Sequence, residues 1–268
     1  MENFTGRPLA VVTGASSGIG YELAKQFAQH GFDLIVAAED AGITEAAAQL
    51  RSLGADVQEV RADLARYDGV EQLVATATAG GRPIDAIAIN AGIGVGGPFA
   101  ETELADELQL VDLNVRSAVH LAKRAVQHMV QRGEGRILFT SSIAATQPGP
   151  FEAVYAASKA FLLSLSEALR NELKDTGITV TALMPGPTDT EFFERAGMQD
   201  TKIGASDSKD DPAKVAAQGF EALMKDKDHV VAGSVTNKVM AGAAKVTPEA
   251  TKAQMHRAMS KPGSGDGS

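Results

Sequence analysis

The stretch Leu9-Ala10-Val11-Val12-Thr13-Gly14-Ala15-Ser16-Ser17-Gly18-Ile19-Gly20 decides the architecture. Its first part, Leu9–Thr13, is an apolar run short enough for a strand buried on both faces. Spaced glycines then turn the chain and open a segment, Ile19–His30, with helical apolar spacing. Without Cβ atoms, such a turn lets backbone approach a pyrophosphate. The helix start adds free N–H groups and the positive end of a dipole. Strand, glycine turn and helix in this order predict a dinucleotide-binding turn made of Gly14, Ser16, Ser17, Gly18, Ile19 and Gly20. A glycine-rich turn with no ligand is the plain alternative.

The same alternation runs outward from this turn. Further short apolar runs, read as strands, are Asp33–Ala37, Val57–Arg61, Ala86–Ile89, Arg136–Thr140, Thr179–Leu183 and His229–Ala232. Between them lie helical segments at Ile43–Leu53, Gly69–Thr78, Glu103–Gln131, Val154–Lys174 and Pro212–Met224. About seven strands alternating with helices predict a single-domain, Rossmann-like α/β fold: a doubly wound parallel sheet with helices on both faces. Residues 1–235 form the expected dinucleotide-binding and catalytic domain, 236–260 a helical extension of it, and 261–268 a disordered tail rich in Gly and Ser. The stretch Thr188–Asp211 reads as a loop with one short helical piece, placed where ligand-covering loops of this architecture lie.

Composition narrows the function. The 268 residues contain 25 Lys and Arg against 34 Asp and Glu, a net charge of −9. A nucleic-acid partner is not expected, because phosphates require a basic footprint. Cysteine is absent, which excludes disulfides and thiolate metal sites. No His pair has metal-ligand spacing with a carboxylate, so no metal is expected, and His30, His120, His128, His229 and His256 read as surface or boundary residues. Met1–Gly6 has neither a basic n-region nor an apolar h-region, and no apolar run could span a bilayer, so a cytoplasmic protein is expected. The apolar residues of Asn237–Met259 (Val239, Met240, Val246, Met255, Met259) are expected to pack on the domain or a partner subunit rather than on a membrane.

Tyr155-Ala-Ala-Ser-Lys159 opens a helical segment. Positions i and i+4 share a helix face, so phenol and ammonium can meet. A free phenol titrates too high for neutral acid–base work, and a neighbouring cation favours its ionised form. Ser142 follows the fifth strand and could hold a substrate oxygen beside Tyr155, although Ser141 is an alternative. At the end of the second strand, Glu39 and Asp40 could accept hydrogen bonds from an adenosine ribose and repel a 2′-phosphate. No Arg or Lys stands at positions 17, 39 or 40. NAD(H) is therefore expected over NADP(H), which is left open. The alternative is that both carboxylates point into solvent.

These motifs together resemble the short-chain dehydrogenase/reductases, in their compact branch. Thr13-Gly14-x-x-x-Gly18-x-Gly20, Asp63-Leu64, Asn90-Ala91-Gly92, Asn114, Ser142, Tyr155, Lys159 and Pro185-Gly186 fall in one register. The resemblance implies an NAD(P)-dependent oxidoreductase moving hydride between nicotinamide and a secondary alcohol or ketone. Asp63 and Leu64 would meet the adenine, and Asn90, Ala91 and Gly92 would support the sheet beside the ribose. Tyr155 would give or take the alcohol proton, Lys159 would lower the phenol pKa and bind the nicotinamide ribose, and Ser142 would orient the substrate. Asn114 would hold a water relaying protons to Lys159. Pro185, Gly186, Thr188 and Thr190 would contact the carboxamide. A homodimer or homotetramer, paired through the two long helices, is implied too. The chain departs from the pattern at Ala38, where an acid is frequent, and at Thr188, where a branched apolar residue is frequent. Phe99, Phe151, Phe192, Phe193, Met184 and Met198 suggest an apolar substrate pocket. A dinucleotide-binding sensor without turnover, and a dehydratase or epimerase on the same fold, are the alternatives weighed.

Overall fold

In the computed structural model, residues 6–234, 237, 242 and 247–265 are described. The apolar runs become parallel strands: β1 (Leu9–Thr13), β2 (Asp33–Ala38), β3 (Val57–Arg61), β4 (Ala86–Ile89), β5 (Gly135–Thr140), β6 (Ile178–Pro185) and β7 (His229–Ala232). They form one sheet in the order β3-β2-β1-β4-β5-β6-β7. The order reverses between β1 and β4, which opens a crevice at their C-terminal ends.

Side-chain alternation sends each strand's residues to two cores. Ala10, Val12, Leu34, Val36 and Leu138 pack under α1 (Gly18–Gln29), α2 (Gly42–Arg51) and α9 (Pro212–Met224). Val11, Ile35, Ile87, Ile137, Phe139 and Val180 face the opposite core, under α3 (Tyr67–Thr78), α5 (Ala118–Arg132) and α6 (Ala153–Glu172). Helix ends follow local chemistry. Asp211 accepts from the Ala213 N–H at 2.8 Å ahead of Pro212 at the first helical position, and Gly133 ends α5 in the left-handed region at φ 81°.

Three expectations need correction. The segment read as one helix over Glu103–Gln131 is interrupted: α4 (Leu104–Val111) passes through a π-helical turn at Asp112–Ser117 before α5. Such an insertion has no periodic signature in sequence, and it often marks a functional position. The loop after β6 carries two short helices rather than one, α7 (Phe192–Arg195) and α8 (Lys202–Ala205). Residues 261–265, read as part of a disordered tail, make backbone contacts: Gly263 and Gly265 donate to the Asp200 side chain and carbonyl, each at 2.7 Å. Glycines lack side chains but keep their N–H donors, and here those donors find acceptors.

The C-terminal helix, α10, spans Glu249–Ser260. Of the stretch 235–246, only Asn237 and Gly242 are among the described residues, so Val239, Met240 and Val246 lie outside them.

Candidate active site

One cleft of ≈ 550 Å³ runs along the C-terminal edge of the sheet, from the glycine turn to α10. At its first end, α1 begins on Ser17, which makes no side-chain cap bond, and the first turn has no acid. The leading N–H groups, which lack intrahelical partners, therefore stay available at the positive end of the dipole. Gly18 has φ 56°, and a Cβ there would come 3.0 Å from the Thr190 methyl. A Cβ on Gly20 would stand 2.0 Å from the Gly14 carbonyl oxygen. An uncapped helix start lined by backbone is what a pyrophosphate requires, so the residues present fit a nicotinamide dinucleotide.

Asn90 ties three strands together behind this turn. Its Nδ2 donates to the Thr13 carbonyl at 3.1 Å, and its Oδ1 accepts from Thr140 Oγ1 at 3.0 Å. The N–H groups of Asn90 and Ala91 both donate to Thr13 Oγ1 at 3.0 Å. Asp63, Leu64, Glu39 and Asp40 line the cleft beyond β2 and β3. Asp40 is engaged locally, accepting from Ser16 Oγ at 2.7 Å and from the Gly42 N–H at 2.9 Å. Glu39 is exposed. Arg61, at the end of β3, lines the same corner and donates through Nε to the Glu39 carbonyl at 2.9 Å. The sequence reading missed this arginine, because strand pairing rather than chain distance brings it beside Glu39.

The sheet and α6 bring Ser142, Tyr155 and Lys159 to the middle of the cleft. Lys159 is buried and donates from Nζ to the Thr140 carbonyl at 3.0 Å, while its Nζ lies 5.6 Å from the Tyr155 ring centroid. Burial brings the Lys159 ammonium down to about 8. Tyr155 moves the other way. Burial, with the negative charge of Glu152, pushes the phenol above its ordinary range, and the Ser142 hydroxyl offsets this only in part. The sequence reading expected Lys159 to favour the ionised phenol; burial acts the other way here. Desolvation outweighs an ammonium that is turned toward a backbone carbonyl.

Ser142 caps the short 3₁₀ turn Ile143–Thr146, accepting from the Ala144 N–H at 3.1 Å. Ser141 donates instead to the Lys159 carbonyl at 2.7 Å and is 2% exposed, so its proton is committed to backbone. Asn114, in the π turn, is buried. Its Oδ1 accepts from the Ile93 N–H at 2.9 Å, and its Nδ2 reaches both the Ile93 carbonyl (2.9 Å) and Ser158 Oγ (3.1 Å). A Cβ on Gly92 would lie 3.0 Å from Asn114 Oδ1 and 3.2 Å from Lys159 Nζ, so this glycine brings the two side chains together. One lone pair of Oδ1 is left to accept from a water.

Pro185 ends β6, and Gly186, Thr188 and Thr190 follow along the cleft. Thr188 donates to the Gly186 carbonyl at 2.9 Å, and Thr190 Oγ1 accepts from the Phe192 N–H at 3.3 Å. The far end is walled by Ile143, Phe192, Phe193 and Ile203, with the Tyr155 and Phe192 rings 5.1 Å apart. Glu152, His256 and Met259 complete it. The sequence reading singled out none of the three as a site residue: it put Met259 on a packing face and His256 among surface or boundary residues. His256 is 6% exposed. Lys252, His256 and Ser260 form the buried face of α10, whereas Met255 points outward. A polar stripe at i, i+4 and i+8 was the available signal, and an apolar search passes over it.

Among the described residues, no group of His, Cys, Asp or Glu could hold a metal, and no helix is long and apolar enough to cross a membrane.

The comparisons with known proteins agree with this geometry. Residues 8–201 match the family model described as short chain dehydrogenase. The 1-deoxy-11-beta-hydroxypentalenate dehydrogenase of Streptomyces exfoliatus is 35% identical over 234 residues, covering 84% of this chain and 82% of that protein. A short-chain dehydrogenase from Sphingobium yanoikuyae, solved in complex with NADPH, is 30% identical with a TM-score of 0.78, over 84% of this chain and 87% of that one. A 3-ketoacyl-(acyl-carrier-protein) reductase from Brucella melitensis, complexed with NADH, is 27% identical with a TM-score of 0.72, over 81% and 91% of the two chains. The chain belongs to the short-chain dehydrogenase family, as an NAD(P)-dependent oxidoreductase acting on a small-molecule substrate.

Proposed function

We propose that this oxidoreductase interconverts a ketone and a secondary alcohol, with Tyr155 as the acid–base group. The observation that carries the reading is the convergence of Ser142, Tyr155 and Lys159 in one cleft with the uncapped start of α1. A bound nicotinamide would supply or take the hydride. Ser142 and Tyr155 hold the substrate oxygen, and Tyr155 Oη gives it a proton in the reductive direction. Burial raises the phenol pKa, so proton transfer near neutral pH needs Lys159 and the positive charge of an oxidised cofactor to bring it down. Lys159 holds the nicotinamide ribose and replenishes the proton, with Asn114 as the water-bearing residue behind it. The backbone of Gly14–Gly20 carries the pyrophosphate, Asp63 and Leu64 the adenine, and Pro185 to Thr190 the carboxamide.

NAD(H) is the proposed preference. Glu39 is the uncommitted carboxylate at the β2 edge, since Asp40 is held by Ser16 and Gly42. Arg61 is the counterweight that could accept a 2′-phosphate, and Glu39 beside it opposes one. The pocket beyond Tyr155 is mostly apolar, which favours an apolar carbon skeleton in the substrate. Self-association through the long helices is supported by the exposed side chains Leu104, Leu108 and Val111 on α4 and Phe161 on α6. The cysteine-free composition keeps a reducing cytoplasm as the expected compartment.

The test is a ketone and alcohol panel with NADH and NADPH, followed by absorbance at the nicotinamide band. Turnover that is lost in Tyr155→Phe, with cofactor binding kept, supports the reading. Cofactor binding with no turnover of any substrate, in either direction, would sink it.

A further inference from the structure

Glu152 is a buried carboxylate at the substrate end that proton transfer does not use. It is 5% exposed and ends the loop before α6, three residues ahead of Tyr155. Its neighbour Phe151 has φ 69°, a left-handed conformation rare for an aromatic residue, with the Arg257 guanidinium 4.9 Å from its ring centroid. Backbone strain of this kind persists only where the surroundings enforce it.

Helix α10 fixes one of the two carboxylate oxygens. Ser260 Oγ donates to Glu152 Oε2 at 3.0 Å, and His256 Nε2 lies 3.0 Å from the same atom. The Gln147 amide stands 3.2 Å from His256 Nδ1. An amide nitrogen can only donate, so Nδ1 accepts and the ring proton sits on Nε2, directed at Glu152. The cluster is not a nucleophilic triad, because Ser260 and Glu152 meet the same ring nitrogen and Ser260 is 1% exposed.

The other oxygen, Oε1, has no hydrogen-bond partner among the described residues. Nor is it sealed away. The sealed, unpartnered side-chain atoms there are Glu22 Oε2, Glu107 Oε2 and Thr179 Oγ1. Glu152 lines the cleft with Ser142 and Tyr155, and Oε2 is the oxygen already engaged by α10. An ionised carboxylate accepts and cannot donate, and a buried acceptor left unpaired is costly. The apolar part of the cleft lining, Ile143, Phe192, Ile203 and Met259, carries no side-chain donor. An ammonium would have to enter an apolar cleft beside the charge of Lys159, whereas a neutral hydroxyl would not.

We propose that Glu152 is a substrate-recognition residue whose free oxygen accepts a hydrogen bond from a hydroxyl carried in addition to the reacting oxygen. The preferred substrate is then a hydroxyketone or its diol. His256 and Ser260 are positioning residues that stop the carboxylate from turning away. The inference rests on the reaction assigned above, since it takes Tyr155 and Ser142 as the reacting end.

The test compares cyclohexanone with 2-, 3- and 4-hydroxycyclohexanone and the matching methoxy ethers, using the full chain with NADH and NADPH. At least one hydroxyl isomer should exceed cyclohexanone in kcat/KM by about tenfold or more, as a charge-assisted hydrogen bond allows, and its ether should lose that gain. In Glu152→Gln the hydroxyl-to-plain ratio should collapse toward one. Equal kcat/KM for the hydroxylated and plain ketones in the native enzyme overturns the subsite while leaving the reaction intact. So does a Glu152→Gln enzyme that loses rate on both but keeps the ratio, since the carboxylate would then only brace α10. If Glu152→Gln fails to fold, the native comparison of hydroxyl, ether and plain ketone decides alone. No turnover of any ketone overturns the reaction itself, and the subsite with it.

Discussion

The two ends of the cleft are built by different means. The cofactor end is made from backbone and glycines within one continuous stretch, Thr13–Gly20, closed by Asn90–Gly92 from the adjoining strand. The substrate end is made from side chains on three stretches far apart in sequence: Ser142–Glu152, Pro187–Ile203 and His256–Met259. The tail ties two of these walls. Lys252 Nζ donates to the Thr146 carbonyl at 3.1 Å, while Ser264 Oγ accepts from the Lys202 N–H at 3.1 Å. A backbone-built site tolerates few changes and binds one kind of ligand. A side-chain site assembled from distant segments can change its specificity one residue at a time.

That contrast can be tested where the two ends meet. Tyr155→Phe should lower kcat by about a thousandfold, within the range for a lost general acid, while the dissociation constant for NADH stays near native. A comparable loss of cofactor affinity would mean that the ends are not separable. His256→Ala should act on the substrate end and on stability. It leaves the buried Glu152 carboxylate without one of its two donors, and a hydrogen bond to a charged group contributes about 1.5–3 kcal/mol. Denaturant melts should show a large part of that drop, with substrate KM moving and cofactor affinity held. An unchanged melting midpoint would remove α10 as a structural brace.

Lys159 sharpens the comparison by pH. Its ammonium, brought down to about 8, is charged below that pH and neutral above it. Reductive kcat/KM should therefore fall as pH climbs through about 8 in enzyme that is free of cofactor before mixing. A flat profile to pH 10 would break the assignment. Stability should respond with the opposite sign. Between about 8 and the ordinary lysine value of 10.5, the unfolded chain binds the extra proton, so this group makes stability rise with pH. The smallest effect expected is at Glu39. Glu39→Gln should move the ratio of NADH to NADPH efficiency toward NADPH by a few-fold to about tenfold, as one hydrogen bond to a ribose hydroxyl would. A ratio that does not move would transfer cofactor choice to Arg61.

The sequence itself fixed the sheet and the cofactor end because both depend on local rules. Apolar runs of strand length, a glycine turn at the first of them and the Tyr155–Lys159 spacing survive any detail of packing, since each is set by backbone geometry within a few residues. Two features of the site lay beyond such rules. The π turn at Asn114 is hard to read from periodicity, because six residues, Asp112–Ser117, are too few to show a period of their own between two ordinary helices. The docking of α10 was invisible because the helix turns Lys252, His256 and Ser260 inward and leaves Met255 outside. Hydrophobic patterning presumes an apolar core, and here the partner surface is the Thr146 carbonyl and the Glu152 carboxylate. Only the tertiary structure brings those acceptors within reach of residues about a hundred positions away. For the same reason it is the fold, and not any motif, that satisfies one oxygen of the Glu152 carboxylate near Tyr155.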